Sequence, residues 1–96
     1  MTDFSTQAAE ATLRMRKLFP ATPLQRNDYL SLAYDADIWL KREDLSPVRS
    51  YKLRGAYNAM SKQADKQVFV CASAGNHAQG VAFVCKHMRK NGVIFM

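Results

Sequence analysis

Apolar positions recur at helical spacing in the first stretch of the chain and then change period. Ala8, Ala11, Met15 and Leu18 fall on one face of a helix over residues 6–18, with Ser5 or Thr6 as N-cap and Pro20 as its stop. Residues 21–24 read as extended, because the residue before Pro23 is pushed out of the α region. A second, short helical pattern runs through Tyr29 and Leu32. Residues 38–41 (Ile-Trp-Leu-Lys) read as a strand entered from a polar turn at residues 35–37. After a charged, proline-containing loop over residues 42–49, helical spacing resumes through Leu53, Ala56, Tyr57 and Met60, with Ser50 as N-cap.

The second half alternates strand and helix. Residues 68–72 (Val-Phe-Val-Cys-Ala) form a continuous apolar run, the pattern of a strand buried on both faces. A turn at residues 73–76 leads into a helix over about residues 77–90, with Val81, Val84 and Met88 on one face. Gly92 is expected to end that helix, and residues 93–96 to begin another strand. The sum is an α/β fold with a parallel sheet and flanking helices. No turn, helix or polar cap follows the last strand, so a bare sheet edge is expected, with the rest of the same domain beyond it.

Composition narrows the class. At 96 residues there is room for one small domain, and 48% hydrophobic with 23% charged residues is ordinary for a globular chain. No apolar run approaches the roughly 20 residues that span a bilayer, and no signal peptide opens the chain, so a cytoplasmic location without membrane contact is expected. The net charge of +6 is uneven: residues 1–48 carry six Lys/Arg and seven Asp/Glu, residues 49–96 eight Lys/Arg and only Asp65. Lys86, Arg89 and Lys90 fall where they complement a helix dipole, and no basic-aromatic motif accompanies them, so no nucleic-acid partner is expected. Cys71 and Cys85 read as buried free thiols; Cys85 with His87 lacks the second ligand pair of a metal site, and none is expected.

Two segments carry candidate chemistry. The turn from Ala72 into the helix near His77 lies at the carboxyl end of a strand and at a helix N-terminus, which favours an anion. Ser73, Gly75 and Asn76 would supply a hydroxyl, an unobstructed backbone and an amide there, although they could also simply cap the helix. The loop is not a phosphate-binding P-loop, since Val81 and Ala82 stand where Lys and Ser/Thr are needed, nor a nucleophile elbow, since Cys71 replaces the first glycine. The second candidate is Lys52. A lysine becomes a nucleophile or base where desolvation or nearby positive charge disfavours its ammonium form. Arg49, Arg54 and the first turn of a helix surround Lys52, yet spacing alone favours a solvated surface lysine.

Lys41-Arg42-Glu43-Asp44, the segment Ser50-Tyr51-Lys52-Leu53-Arg54-Gly55-Ala56-Tyr57-Asn58 and the segment from Ala72 to Phe83, with Thr22-Pro23-Leu24, closely resemble the threonine dehydratase family of pyridoxal-phosphate enzymes. These enzymes have the tryptophan-synthase-β-like fold. The matches follow the family's order through nearly all of the chain after the first helix; Tyr51, where phenylalanine is more usual, is a conservative departure.

The resemblance implies that Lys52 binds the aldehyde of pyridoxal 5'-phosphate and that Asn76 hydrogen-bonds the cofactor's ring oxygen. It implies that Ser73, Ala74, Gly75, Asn76 and His77 hold the substrate carboxylate. The implied reaction is dehydration and deamination of L-threonine to 2-oxobutanoate and ammonia in isoleucine biosynthesis, by a homo-oligomer. Residues 1–55 would start the larger lobe of the catalytic domain and residues 56–96 the smaller. The family's glycine-rich phosphate loop has no counterpart among Gly55, Gly75, Gly80 and Gly92, so the 96 residues alone are expected to hold the cofactor poorly, to be inactive and to fold marginally. Alternatives are a serine dehydratase or serine racemase relative acting on L-serine, which shares both segments, and a non-catalytic basic binding module.

Overall fold

The computed structural model describes residues 3–96. Its elements are α1 (Phe4–Arg16), β1 (Leu24–Arg26), α2 (Asp28–Tyr34), β2 (Trp39–Lys41), a 3-10 turn (Glu43–Leu45), α3 (Lys52–Ser61), β3 (Val68–Ala72), α4 (Asn76–Met88) and β4 (Asn91–Phe95). Helix α1 starts two residues earlier than its spacing predicts. Asp3, not Ser5 or Thr6, is the N-cap, its carboxylate accepting from the Thr6 amide at 2.8 Å. That bond holds the Asp3 carboxyl below its ordinary pKa.

The strands make two separate pairs rather than one sheet. β1 and β2 are antiparallel, with Gln25 opposite Leu40, while β3 and β4 are parallel, with Val70 opposite Val93. β3, α4 and β4 form a β-α-β unit, the smallest unit of the expected parallel sheet. Strand β1 has no apolar alternation and exists through its pairing with β2.

The core lies where α3 packs along α4. Leu53, Ala56, Tyr57 and Met60 from α3 meet Val81, Val84 and Cys85 from α4, and Met15 and Phe19 close the side toward α1. Leu53 and Val84 are fully buried, as the two helical stripes predict. Burial of Cys85, with Cys71 nearby, raises its thiol pKa.

Two expectations are corrected. Strand β3 is not buried on both faces: Phe69 and Cys71 pack toward the core, whereas Val68 and Val70 are 52% and 63% exposed, because α4 covers one face only. Gly92 does not end α4. Arg89 does, in the left-handed conformation at φ 57°, its amide bonded to carbonyls of the last turn, and Gly92 lies inside β4. A Cβ on Gly92 would stand 3.1 Å from Cys85 Sγ, so the glycine permits the close approach of strand to helix. Lys86 lies in the last turn of α4, and Lys90 donates to the Ala64 carbonyl. Among the described residues no helix is long and apolar enough to cross a membrane, and no cluster of metal-ligating side chains forms.

Candidate active site

Lys52 is the first residue of α3 and is half-buried. Ser50 is not the cap residue itself but stands one step before it, its hydroxyl accepting weakly from the Lys52 amide at 3.4 Å. The Lys52 ammonium lies 5.5 Å from the centroid of the Tyr51 ring, within reach of a cation–π attraction. The cationic setting expected for Lys52 is only partly present. Arg49 is exposed, but Arg54 is turned away into an ion pair with Glu43, at 2.8 Å, and lies over the Phe19 ring.

That ion pair belongs to a clamp the sequence does not announce. Arg54 donates to Glu43 from Nε at 2.8 Å and from Nη2 at 2.9 Å, and the Thr22 hydroxyl donates to the same carboxylate at 2.6 Å. Buried Thr22 also offers its carbonyl to Lys41. The arginine and its hydrogen bonds hold the Glu43 carboxyl below the usual carboxylate range despite partial burial. The clamp ties the extended segment before β1, the turn after β2 and the first turn of α3, and so fixes the helix that begins at Lys52.

At the other side of the site, Gly75 precedes α4 and Asn76 opens it. The Ser73 hydroxyl accepts from the Gly75 and Ala78 amides, both at 3.2 Å. Ser73 thus satisfies two amides at the helix start, as the capping reading of this loop expects. With its lone pairs so used, the hydroxyl still has one proton to donate. The Asn76 and His77 amides find no acceptor among the described residues, and Ala74, Gly75, Asn76 and His77 are exposed. Three donors at the positive end of a 13-residue helix make a cradle suited to a carboxylate.

What brings the two halves together is Gly80, buried one helical turn after Asn76. A Cβ there would stand 3.4 Å from the Lys52 carbonyl and 3.5 Å from Ala56 Cβ, so α4 crosses α3 beside Lys52 itself. The sequence signal was a lone glycine inside a helical pattern, which often marks close backbone approach. Amine and anion cradle, 24 residues apart in sequence, are thus carried by the first turns of two helices in direct contact.

A profile of the family described as pyridoxal-phosphate dependent enzyme matches residues 16–96. The chain is 56% identical over 90 residues to the L-threonine dehydratase biosynthetic IlvA of Staphylococcus aureus (strain NCTC 8325 / PS 47), a match covering 91% of this chain and 21% of that protein. It is 63% identical over 78 residues to the protein of the same name from Bacillus subtilis (strain 168), covering 78% of this chain and 18% of that one. The chain spans about a fifth of the length of these relatives.

Proposed function

Because the chain belongs to the family of pyridoxal-phosphate-dependent enzymes, we propose that it contributes the cofactor lysine and the substrate-carboxylate loop of a threonine dehydratase. In that enzyme L-threonine is converted to 2-oxobutanoate and ammonia, the entry to isoleucine synthesis. The observation that carries the proposal is the contact at Gly80, which sets the start of α3, with Lys52, against the helix that begins at Asn76. The identity to two proteins named as threonine dehydratases supports the choice of substrate over L-serine.

The residues fit pyridoxal phosphate on two counts. Lys52 offers a half-buried primary amine that can bind an aldehyde covalently, and exposed Asn76 offers a side-chain amide that makes no hydrogen bond among the described residues and can donate to the ring oxygen. When bound, the cofactor supplies an electron sink that acidifies the amino acid's Cα–H bond. With the cofactor bound, Lys52 would act as the base that takes the Cα proton and holds it on Nζ. The Asn76 and His77 amides and the Ser73 hydroxyl orient the carboxylate, with Ala74 and Gly75 leaving the approach open. Residues 1–55 belong in this reading to the larger lobe and residues 56–96 to the smaller, a division that falls inside α3.

The test is a chimera in which residues 16–96 replace the matching segment of the Bacillus subtilis relative. The expected result is formation of 2-oxobutanoate from L-threonine, reduced at least about a thousandfold by Lys52→Ala, in line with loss of an acid–base group that also anchors the cofactor. A folded chimera indifferent to Lys52→Ala would overturn the assignment. The 96-residue chain alone is expected to form no 2-oxobutanoate.

A further inference from the structure

The loop that delivers the chain into Lys52 is closed by a single buried hydroxyl. Ser46 Oγ donates to the Ser50 carbonyl at 2.9 Å and accepts from the Ser50 amide at 3.2 Å, so one side chain engages both backbone groups of one residue. Ser46 and Ser50 are 5% and 7% exposed, out of easy competition with water. Pro47 confines Ser46 to extended backbone, observed at φ −71°, ψ 164°, and the Arg49 amide returns to the Ser46 carbonyl at 3.0 Å. The turn places Arg49, a residue with a Cβ, in the left-handed region at φ 62°. Such a conformation persists where surrounding bonds over-determine it. Two residues beyond the clasp, the Ser50 hydroxyl receives the Lys52 amide and the Lys52 carbonyl meets Gly80.

We propose that Ser46 is a positioning residue for Lys52: its hydroxyl clasps Ser50, fixes the turn through Arg49, and so sets the register at which α3 begins and the direction from which the Lys52 amine meets an aldehyde. The inference rests on the assignment of Lys52 as the aldehyde-binding amine. It goes further by naming a hydroxyl six residues earlier, outside the lysine and asparagine segments, as a determinant of how well that amine is presented.

The test uses the chain itself and pyridoxal 5'-phosphate as probe. An amine condenses with the aldehyde, losing water, and borohydride reduces the resulting C=N bond to a stable secondary amine that peptide mapping locates. Six other lysines serve as internal references. Lys52 is expected to be labelled in preference to Lys86, and Ser46→Ala to lower that preference about fivefold, as loss of one or two hydrogen bonds dictates. Protection of the α4 amides from hydrogen exchange should stay as in the unaltered chain, and Ser46→Thr, which keeps the hydroxyl, should restore the preference. A preference that persists in folded Ser46→Ala overturns the role of Ser46 alone. Absence of any preference in the unaltered chain overturns this inference alone, since the assignment of Lys52 is decided by 2-oxobutanoate formation in the chimera with and without Lys52→Ala. Should Ser46→Ala unfold, the unaltered chain still decides: the Ser50 amide must exchange at least about tenfold more slowly than exposed loop amides, since it is buried and bonded. Fast exchange there overturns the clasp.

Discussion

Replacing Glu43 by alanine removes three hydrogen bonds at once, two from the Arg54 guanidinium and one from the Thr22 hydroxyl. Bonds to a charged partner contribute about 1.5–3 kcal/mol each when the partner is withdrawn from water. Here water moderates the loss, because the Glu43 side chain is 19% exposed and that of Arg54 31%. Arg54 also keeps its place over Phe19 and its 3.3 Å contact with Thr22. A net destabilisation of about 2–4 kcal/mol follows, below the sum of the separate bonds. For a domain of this size, with a total stability of about 5–14 kcal/mol, that is a large share. A urea titration followed by circular dichroism should show the midpoint falling by about 1–3 M, given slopes of about 1–3 kcal/mol/M. The effect must also carry a pH signature. The Glu43 carboxyl titrates lower in the folded than in the unfolded chain, so its contribution is fully present above the unfolded value, the ordinary 4.5, and is lost as pH falls through the lower folded value. The gap between the unaltered chain and Glu43→Ala should therefore narrow as pH drops below about 4. A midpoint shift under about 0.3 M at pH 7, or a gap that stays constant down to pH 2, would refute the clamp.

Three other outcomes are expected. Gly80→Ala should be tolerated or slightly stabilising in thermal unfolding, since its Cβ makes contacts at 3.4–3.5 Å and alanine is favoured in helices by about 1 kcal/mol; Gly80→Leu should cost about 1–3 kcal/mol or more by prising α4 from Lys52 and Ala56. Ser73→Ala, which strips the acceptor from the Gly75 and Ala78 amides, should lower stability by about 0.5–2 kcal/mol and speed hydrogen exchange of the Ala78 amide first. With iodoacetamide at pH 8, half-buried Cys71 should be alkylated before buried Cys85, whose raised thiol pKa withholds the thiolate; equal rates mapped by mass spectrometry would contradict the packing of α4 on β4.

Helical stripes and the apolar run of β3 were legible because each is a local demand: Leu53, Ala56, Tyr57 and Met60 cannot all be covered except by one neighbour along one face. What covers them is not local, and there the reading of residues runs out. The run at residues 68–72 asks for cover on both faces, and among the described residues α4 supplies it on one. Strand β1 was missed because Leu24, Gln25 and Arg26 hold no pattern of their own, only a pairing with residues 39–41. The same limit divides the site. Lys52 and the Ser73–His77 loop could be singled out by residue type and helix position, but Glu43 and Arg54 lie 11 residues apart, and Thr22 lies 32 before Arg54. No spacing rule joins such residues. Glycine was the most misleading single signal and, corrected, the most informative. Gly92 suggested a helix end, yet Arg89 supplies the left-handed residue there, and Gly92 instead lets β4 approach Cys85. Gly80 lay within the segment from Ala72 to Phe83 with no role of its own assigned, yet by having no side chain it lets the helix of Asn76 cross the helix of Lys52. Both glycines act through close approach rather than through backbone conformation, since neither has a positive φ. A glycine inside a predicted helix or beside a predicted strand therefore asks what packs against it as much as what turn it permits.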